Sequence, residues 1–366
     1  MDTIKIALTG GPSGGKTMIL EKIKEYVREN TDYNLIIVPE TATELSNNII
    51  RPQDVLNAYD FQNTVFKRQY FKECEVDDVL KYNDKKKNII VYDRGIIDNK
   101  AYLNQELFDM LLSYYDKKEL ELLSNYDLVI YLESVSHYDN IEYGFNNKAR
   151  YEDKKSAAQL DNKTVEAWLG HNNLKIVRAR ENKQDKIDDV IKIIDAEIND
   201  IRKEKIENYE LDNESDLSIY DDNNSKLINE TDYYLENIDN KDYKYILTKR
   251  SYKNSFSYIF KTVKYNLDEK TTIKEKNISE KEFLRIACKY GVISIIEKEV
   301  LSFYYDRRKF DVISYDGKKR IEFIYDKDLK VPSNIKLKKK IDDMDDFINN
   351  QKKFIKKLRI WYYINN

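Results

Sequence analysis

The stretch TGGPSGGKTM, residues 9–18, constrains the fold more than any other part of the chain, because it holds four of the nine glycines in 366 residues. It fits the pattern G-x-x-x-x-G-K-[ST] from Gly10 to Thr17, and it lies between an apolar run and a segment of helical periodicity. Glycines let a backbone wrap closely around a phosphate, while loop amides and a helix N-terminus supply positive potential. The sequence therefore predicts a phosphate-binding loop; the alternative is a glycine-rich turn that binds nothing.

The residues of this loop have distinct expected roles in binding ATP or GTP with Mg²⁺. Lys16 is expected to act as a catalytic cation on the β- and γ-phosphates, and the Thr17 hydroxyl to bind the metal ion. The nucleotide contacts are expected from Gly10, Gly11, Pro12, Ser13, Gly14, Gly15, Lys16, Thr17 and Met18. The choice between adenine and guanine stays open, because no motif fixes the loops that discriminate the bases.

Up to about residue 203, short apolar runs alternate with segments of helical periodicity, which indicates a parallel sheet flanked by helices on both faces. The runs are continuously apolar, as expected for strands buried on both sides. The predicted strands are IKIALT (4–9), LIIV (35–38), NIIVYD (88–93), DLVIYL (127–132) and LKIV (174–177). Helical periodicity is clearest at 187–201, so we expect an α/β domain over 1–203.

Polar residues follow two of these predicted strands and become candidates for the same site. Asp93 is expected to orient water on Mg²⁺, although an acid at a strand-to-helix turn can instead cap the helix. Arg94 follows directly and is expected to contact phosphate or brace the loop. Glu40, in VPETATEL, is either a hydrogen-bond acceptor for a substrate hydroxyl or catalytic water, or a helix cap; the sequence does not separate the two.

A basic segment, NNKARYEDKK (146–155), is the candidate for mobile cations that close over the phosphates. Arg150 is its best catalytic candidate, and the lysines of the segment are expected mostly to be solvated. His171, in WLGHNNLKIV, is expected to be structural.

From residue 204 to residue 366 the hydrophobic period changes to two, which predicts antiparallel strands. The strands are expected at 243–252, 256–265, 271–276, 297–305, 309–314 and 319–325. A helix capped by Ser279 interrupts them at 279–290, and Asp316-Gly317 predicts a hairpin. The segment 212–242 is rich in Asp and Asn, so we expect it to be loose and partly disordered.

Composition limits the binding partners and the cellular compartment that we expect for the protein. The formal net charge is only −3, so no general attraction to nucleic acid or to an acidic membrane is expected. Cys74 and Cys288 match no metal-ligand spacing and form no disulfide framework, which favours a reducing compartment. No apolar run is long enough to span a bilayer, and the residues before the loop are too few for a signal segment, so we expect none. We expect a cytoplasmic protein, peripheral to a membrane at most.

Several stretches of the first domain resemble a known group of proteins: LTGGPSGGKT, VPETATEL, VYDRGIIDNKAY, YDLVIYLES, ARYED, AWLGHNNLKIV and DKIDDVIKII. Together they are similar to the AAA ATPase-like P-loop domain of nicotinamide riboside kinase-like and TRP translocation defect proteins. The second half resembles the CYTH-like domain, a triphosphate-tunnel barrel, that follows the P-loop domain in the latter. The resemblance implies ATP or GTP binding coupled to recognition of an acidic phospholipid or another phosphorylated ligand.

Such a tunnel needs cations for phosphate and inward-pointing acids for a metal ion. The candidate cations are Lys249, Arg250, Lys261, Lys264, Lys298, Arg307 and Arg308, and the candidate acids are Glu207, Glu275, Asp311 and Glu322. Taken singly, each cation is better explained by a solvated strand face. Val300 replaces a common arginine and KKKIDD (338–343) replaces an acidic pattern, which argues against metal-dependent triphosphate hydrolysis.

Three functions follow from these patterns. The first, which we favour, is a nucleotide-dependent switch or slow NTPase whose second domain binds a phosphorylated partner. The second is a small-molecule kinase acting on a nucleoside or a nicotinamide riboside-like acceptor. The third is a triphosphate hydrolase, or a phosphate-binding module without turnover.

Overall fold

The computed structural model of the protein describes residues 2–55, 57–82, 87–138, 153–200, 206–220, 224–236, 243–265 and 270–341. The chain divides into two compact units, Met1–Asn199 and Asp200–Asn366. Each unit contains its own sheet and its own hydrophobic core. No helix in the described ranges is long and apolar enough to cross a membrane.

The first unit is built on a five-stranded parallel sheet, as the continuous apolar runs predicted. The strands are β1 (Asp2–Thr9), β2 (Asn34–Val38), β3 (Lys87–Asp93), β4 (Leu128–Leu132) and β5 (Leu174–Val177). Their order across the sheet is β2-β3-β1-β4-β5, and all pairs are parallel. The central strand β1 therefore lies between β3 and β4, and the phosphate loop that follows it is next to the ends of both.

Helices cover this sheet, as expected for a parallel sheet whose strands are apolar on both faces. They are α1 (Lys16–Asn30), α2 (Thr41–Asn48), α3 (Ala58–Tyr82), α4 (Gln105–Tyr114), α5 (Glu119–Leu123), α6 (Lys154–Ala167) and α7 (Lys183–Ile198). Helices α1 and α7 pack their apolar residues on one side of the sheet, where Ile23, Ile130 and Val190 are buried. The long helix α3 lacked a clear apolar pattern because its buried side includes the polar residues Gln69 and Glu73.

The second unit is a nine-stranded sheet. Its strands are β6 (Ile206–Leu211), β7 (Ser225–Leu235), β8 (Tyr243–Tyr252), β9 (Ser255–Tyr265), β10 (Lys270–Ile278), β11 (Val292–Tyr305), β12 (Arg308–Tyr315), β13 (Lys318–Ile324) and β14 (Leu337–Lys340). Their order is β10-β9-β8-β7-β11-β12-β13-β6-β14, and all described pairs are antiparallel. Helix α8 (Glu280–Tyr290) begins at a capping box formed by Ser279 and Glu282, so the predicted cap is confirmed.

One expectation about this unit is corrected by strand β7. The segment 212–242 was expected to be loose, yet Ser225–Leu235 is an eleven-residue strand that pairs with both β8 and β11. Its alternate residues Lys226, Glu230 and Asp232 are buried although they are charged. Because the buried positions of this strand are occupied partly by charges, hydrophobic periodicity could not identify it.

Candidate functional site

The loop after β1 has the backbone conformation that only glycine adopts without strain. Gly10 has a φ of 142° and Gly15 a φ of 86°, and Gly15 directly precedes helix α1. A Cβ at Gly10 would lie 2.1 Å from the Leu132 carbonyl oxygen, and one at Gly14 would lie 2.7 Å from the same atom. The glycines are therefore required by the close approach of the loop to the end of β4, as well as by its turn.

Lys16 lies folded against its own loop. Its Nζ donates to the Gly10 carbonyl oxygen at 2.9 Å and to that of Gly11 at 3.1 Å. Burial and the nearby Arg94 lower the pKa of Lys16 to about 8, against the opposing effect of Glu40 and other acids. To contact a phosphate as predicted, the ammonium would have to exchange these two carbonyl acceptors for phosphate oxygens.

The underside of the loop is held by side chains from other elements. The buried Asp161 of α6 accepts a hydrogen bond from the Gly11 amide at 2.8 Å, and Ser134, after β4, donates to the Pro12 carbonyl. A Cβ on Gly11 would lie 2.2 Å from Asp161 Oδ1. The amide of Gly11 is thus engaged by a carboxylate, and Gly11 as a nucleotide contact stays a prediction.

Lys186, at the beginning of α7, approaches the same loop from below. Its Nζ donates to the Gly14 carbonyl oxygen at 2.9 Å and to the Glu133 carbonyl oxygen at 2.8 Å, and the residue is 5% exposed. Burial lowers the pKa of Lys186 to about 8, although Glu133 and Asp161 oppose the shift. The loop therefore has a second ammonium beneath it.

Asp93 lies at the carboxyl end of β3, where its register partner is Leu8, two residues before the loop. Its Oδ1 is buried and has no hydrogen-bond partner in the described structure. Burial and the neighbouring Glu40 raise the pKa of Asp93 to about 6, and Lys16 counteracts part of that shift. A buried carboxylate oxygen without a partner is costly in a folded protein, and within the described residues Asp93 makes no structural hydrogen bond at Oδ1 that a ligand would have to displace.

Thr17 is the second residue of α1, and its side chain is exposed at the N-terminus of that helix. A hydroxyl and a carboxylate near a phosphate-binding loop are hard oxygen donors of the kind Mg²⁺ prefers, with phosphate and water as further ligands. The described residues contain no group of three His, Cys, Asp or Glu side chains able to hold a metal ion. Thr17 and Asp93 therefore fit an ion shared with a phosphate, and they do not form a cage on their own.

Glu40 is next to this pair and is tied to Arg94. It occupies the N-cap position of α2, but its side chain does not cap the helix. Instead it accepts from Arg94 Nε at 2.5 Å and from Thr43 Oγ1 at 2.7 Å. Burial raises the pKa of Glu40, but Arg94 and Lys16 outweigh it, so the net pKa is lowered. Glu40 is therefore held as a charged carboxylate.

Arg94 has a φ of 71°, which is rare for a residue with a side chain and costs about 1 kcal/mol or more. Its amide donates to the Leu8 carbonyl oxygen at 3.0 Å, and its carbonyl accepts from Gln69 Nε2 at 2.9 Å. Its Nη1 lies 3.4 Å from Oδ2 of the buried Asp98. The strained turn is held on both sides, so that the guanidinium lies between Glu40 and Asp98.

The motifs DRG and WLGH, which are far apart in sequence, form one packed unit. Trp168 Nε1 donates to Asp98 at 2.6 Å, and Thr9 Oγ1 donates to the same carboxylate at 2.7 Å. Gly95 lies so close to Trp168 that a Cβ would be 2.4 Å from the indole Cη2. Asp98, which the sequence analysis did not single out, thereby connects Thr9 at the end of β1 with the turn at Arg94, which we call the arginine turn.

Other predicted residues lie outside this cluster. Arg150 and most of its basic segment fall outside the described residues. His171 is buried, and its Nδ1 accepts from the Asn173 amide while its Nε2 lies 2.9 Å from the Tyr126 carbonyl oxygen. The histidine is therefore structural, as expected.

In the second unit, register brings many charged side chains to one face of the sheet, which we call the charged face. Directly paired residues share a face, and residues two apart along a strand do so too. The charged face carries the acids Glu230, Asp232, Glu275, Asp311 and Glu322 and the cations Lys226, Arg250, Lys261, Lys298 and Arg320.

The centre of this face is an ion-pair network. Arg250 Nε donates to Glu230 at 2.8 Å, and Lys298 Nζ lies 3.3 Å from Glu230 and 2.6 Å from Asp232. Despite its burial, the pKa of Glu230 is held well below its usual range, chiefly by Lys298 and Arg250. The cations predicted for phosphate binding are therefore present, and acids already balance them.

Register separates three of the predicted residues, Lys249, Lys264 and Glu207, from this face. Lys249 and Lys264 lie on the opposite face, where their ammonium groups are over the rings of Phe256 and Tyr243. Glu207 pairs in register with Phe323, so it too cannot line the same surface as Glu322. Three further predicted residues are placed as follows: Lys261 shares the charged face, Arg307 lies in the turn between β11 and β12, and Arg308 pairs with Asp306 and Asp326. Alternation of side chains along each strand is the reason for these corrections.

The sequence analysis missed three residues that hold the phosphate loop: Ser134, Asp161 and Lys186. Each contacts the loop across at least 122 positions of sequence, so no local spacing could indicate it. Asp98 could have been predicted as a partner of Arg94, because the two residues are only four positions apart in sequence.

The parallel sheet, the loop and the carboxylates at neighbouring strand ends define a P-loop NTPase-like domain. In agreement, residues 5–186 match the family described as "AAA domain". Solved structures that are similar to the chain include the following two. The PH1819 protein from Pyrococcus horikoshii OT3 is 13% identical, with 42% of this chain and 89% of that chain covered and a TM-score of 0.28. Thymidylate kinase from Candida albicans is 18% identical, with 53% and 92% covered and a TM-score of 0.40.

No curated protein matches the chain. None of these matches names a nicotinamide riboside kinase-like protein or a triphosphate-tunnel domain. The resemblance to nicotinamide riboside kinase-like proteins and to a triphosphate-tunnel domain therefore stays a prediction.

Proposed function

We propose that the first unit binds a nucleoside triphosphate with Mg²⁺ on the loop 10–18 and hydrolyses it slowly, as a nucleotide-dependent switch. The observation that carries the proposal is Asp93, whose buried Oδ1 has no hydrogen-bond partner and lies beside the loop. The AAA-domain match over residues 5–186 supports the same class of ligand.

The roles of the chain's own groups follow from their positions. The first amides of α1 have no acceptor within the helix, so they are available for phosphate oxygens. Lys16 would release the Gly10 and Gly11 carbonyls and neutralise charge on the terminal phosphates. Thr17 and Asp93 would hold Mg²⁺, which supplies charge to offset that of the phosphates. Arg94, fixed by Glu40 and Asp98, adds a further cation at the same edge of the sheet.

The test is calorimetric titration of the whole chain with ATP and with GTP, each with and without Mg²⁺. We expect binding that Lys16→Ala abolishes, and for Asp93→Asn we expect binding that no longer strengthens when Mg²⁺ is added. Lys24→Ala, on the exposed side of α1, is the matched control and should bind as the wild type does. Absence of heat with either nucleotide at millimolar concentration would refute the proposal.

Transfer to an acceptor hydroxyl, as in a small-molecule kinase, is the second candidate. The observation in its favour is geometric: Asp93, whose Oδ1 has no hydrogen-bond partner in the described residues, lies at the end of β3 beside Arg94, which is paired with Glu40, and would accept the proton of a hydroxyl there. Incubation with ATP and a panel of nucleosides, including nicotinamide riboside, distinguishes the two by mass spectrometry. A phosphorylated product formed faster than free phosphate would replace the NTPase proposal with the kinase.

For the second unit we propose binding of a phosphorylated ligand, such as an anionic phospholipid head group, on the charged face. Support comes from Arg250 and Lys298, which are held side by side by Glu230. A polyanion would have to compete with Glu230, which favours a multiply charged group over a single phosphate. The same competition, together with the placement of Glu207 on the other face, argues against the triphosphate hydrolase alternative.

Two probes test this second proposal: inorganic triphosphate, and vesicles of phosphatidylcholine with and without phosphatidylserine. The paired change Glu230→Gln with Arg250→Gln removes one acid and one cation together, so it leaves the net charge unchanged. We expect it to weaken binding, whereas Lys249→Gln, on the opposite face, should not. If both variants bind equally, the charged face is not the site. A switch further requires that this affinity differ between nucleotide-free and nucleotide-bound protein.

A further inference from the structure

A lysine that no part of the proposed reaction uses is buried directly beneath the phosphate loop. Lys186 reaches the Gly14 carbonyl from helix α7, and a second bond to the Glu133 carbonyl anchors it to the end of β4. Burying an ammonium is expensive unless hydrogen bonds and opposite charges compensate. A lysine in this position therefore requires an explanation beyond packing.

The first effect of Lys186 follows from the planarity of the peptide bond. In a trans peptide the carbonyl oxygen and the following N–H point in opposite directions. Lys186 holds the Gly14 oxygen on the underside of the loop, so the Gly15 amide is directed to the upper side. Ser134 fixes the Pro12–Ser13 peptide in the same way. These two contacts orient amides toward the place where a phosphate would lie.

The second effect is electrostatic. The charged groups that face the Lys186 ammonium are Glu133 after β4, Asp161 on α6 and Lys16 on α1. Asp161 is shared with the Gly11 amide and with His137 Nε2, which lies 2.9 Å from it. Lys186 thus offsets negative charge that would otherwise lie directly behind an anion-binding loop, and a buried site screens such charges weakly.

We propose that Lys186 is a positioning residue of the triphosphate site. It orients the Gly15 amide through the Gly14 carbonyl and offsets the negative charge of Glu133 and Asp161 behind the loop, so that the loop accepts a polyphosphate. This inference rests on the proposed nucleotide binding by the first unit.

The experiment compares Lys186→Met and Lys186→Gln with Lys183→Met, an exposed lysine one turn earlier on the same helix. The ligands are ATP with Mg²⁺ and inorganic triphosphate with Mg²⁺, titrated into the full chain. Hydrogen bonds to charged groups are strong enough that we expect affinity for both ligands to fall about tenfold or more in Lys186→Met. Lys186→Gln, which keeps a donor without the charge, should be intermediate, and Lys183→Met should match the wild type.

Proton uptake distinguishes positioning through charge from simple structural support. A bound polyanion stabilises the charged form of Lys186, whose pKa is about 8 without ligand, so binding near pH 8.5 takes up protons. Titration in two buffers of different ionisation enthalpy measures that number. We expect it to be smaller in both Lys186 variants than in the wild type and unchanged in Lys183→Met.

The outcomes separate this inference from the proposed function. If the wild type binds neither ligand, the proposed function fails. If the wild type binds and the Lys186 variants bind as tightly, with the same proton uptake, the inference alone is overturned. Failure of both variants to fold, judged by circular dichroism, would also overturn it, because Lys186 would then belong to the stability of the unit.

Discussion

Gly95 and Trp168 offer a sharp test of how the arginine turn is held in place. The change Gly95→Ala adds a single methyl group 2.4 Å from the Trp168 Cη2 and 3.2 Å from the Ala7 Cβ. The backbone of Gly95 has a φ of −95° and a ψ of 162°, which alanine adopts freely, so any cost comes from crowding alone. Trp168 and Ala7 are both fully buried, and neither has room to retreat.

The expected magnitude follows from these distances. Overpacking of a well-filled core costs about 1–3 kcal/mol, and we expect Gly95→Ala to lie in that range. Trp168→Phe removes the indole bond to Asp98, which costs about 1.5–3 kcal/mol for a charged acceptor, in addition to the lost volume. Phenylalanine also lacks the two ring atoms nearest to Gly95. The double variant should therefore be nearly as stable as Trp168→Phe alone, with a coupling free energy of about 1–3 kcal/mol.

The assay is urea denaturation followed by pulsed hydrogen exchange of peptides from residues 87–102, which reports unfolding of the first unit. Two outcomes would contradict the expectation. If the losses in the free energy of unfolding caused by Gly95→Ala and Trp168→Phe add in the double variant, the methyl group does not clash with Trp168. If Gly95→Ala leaves the free energy of unfolding unchanged, the turn at Arg94 can shift to make room for the methyl group. Either result would refute the view that DRG and WLGH form one rigid unit.

Three further predictions concern buried charges. Burial raises the pKa of Glu73 from 4.5 to about 7, so the folded state holds its proton more tightly than the unfolded state, and stability is lost as the pH rises from 4.5 to 7. Glu73→Gln should be more stable than the wild type at pH 8, by on the order of 3 kcal/mol, and equal to it near pH 4 in urea titrations. Asp161→Asn should cost about 1.5–3 kcal/mol because a loop amide loses its charged acceptor, while the exposed control Asp188→Asn should cost nothing measurable. Glu230→Gln should cost about 3–5 kcal/mol in the second unit, and adding Arg250→Gln should recover part of it in a thermal melt.

The local sequence was sufficient to predict a strand or a loop wherever one physical requirement restricted the residues that could form it. Strands buried on both faces must be continuously apolar, so all five strands of the parallel sheet were predicted from their composition. The phosphate loop was equally clear, because Gly10 and Gly15 need positive φ and Lys16 and Thr17 must follow at fixed spacing. Asp93 could be placed at the same edge because parallel strands end together.

The tertiary structure decided which side chains meet. Asp161 and Lys186 reach the loop across 150 and 172 residues of sequence, and no local pattern encodes such a contact. Strand register, which depends on the partner strand, placed Glu322 on the charged face and Glu207 on the other. The strand β7 escaped prediction because its buried charges Glu230 and Asp232 pair with cations on β8 and β11, which are distant in sequence. A sequence specifies periodicity within an element, whereas burial of a charge becomes favourable only when the folded chain brings its counter-charge to it.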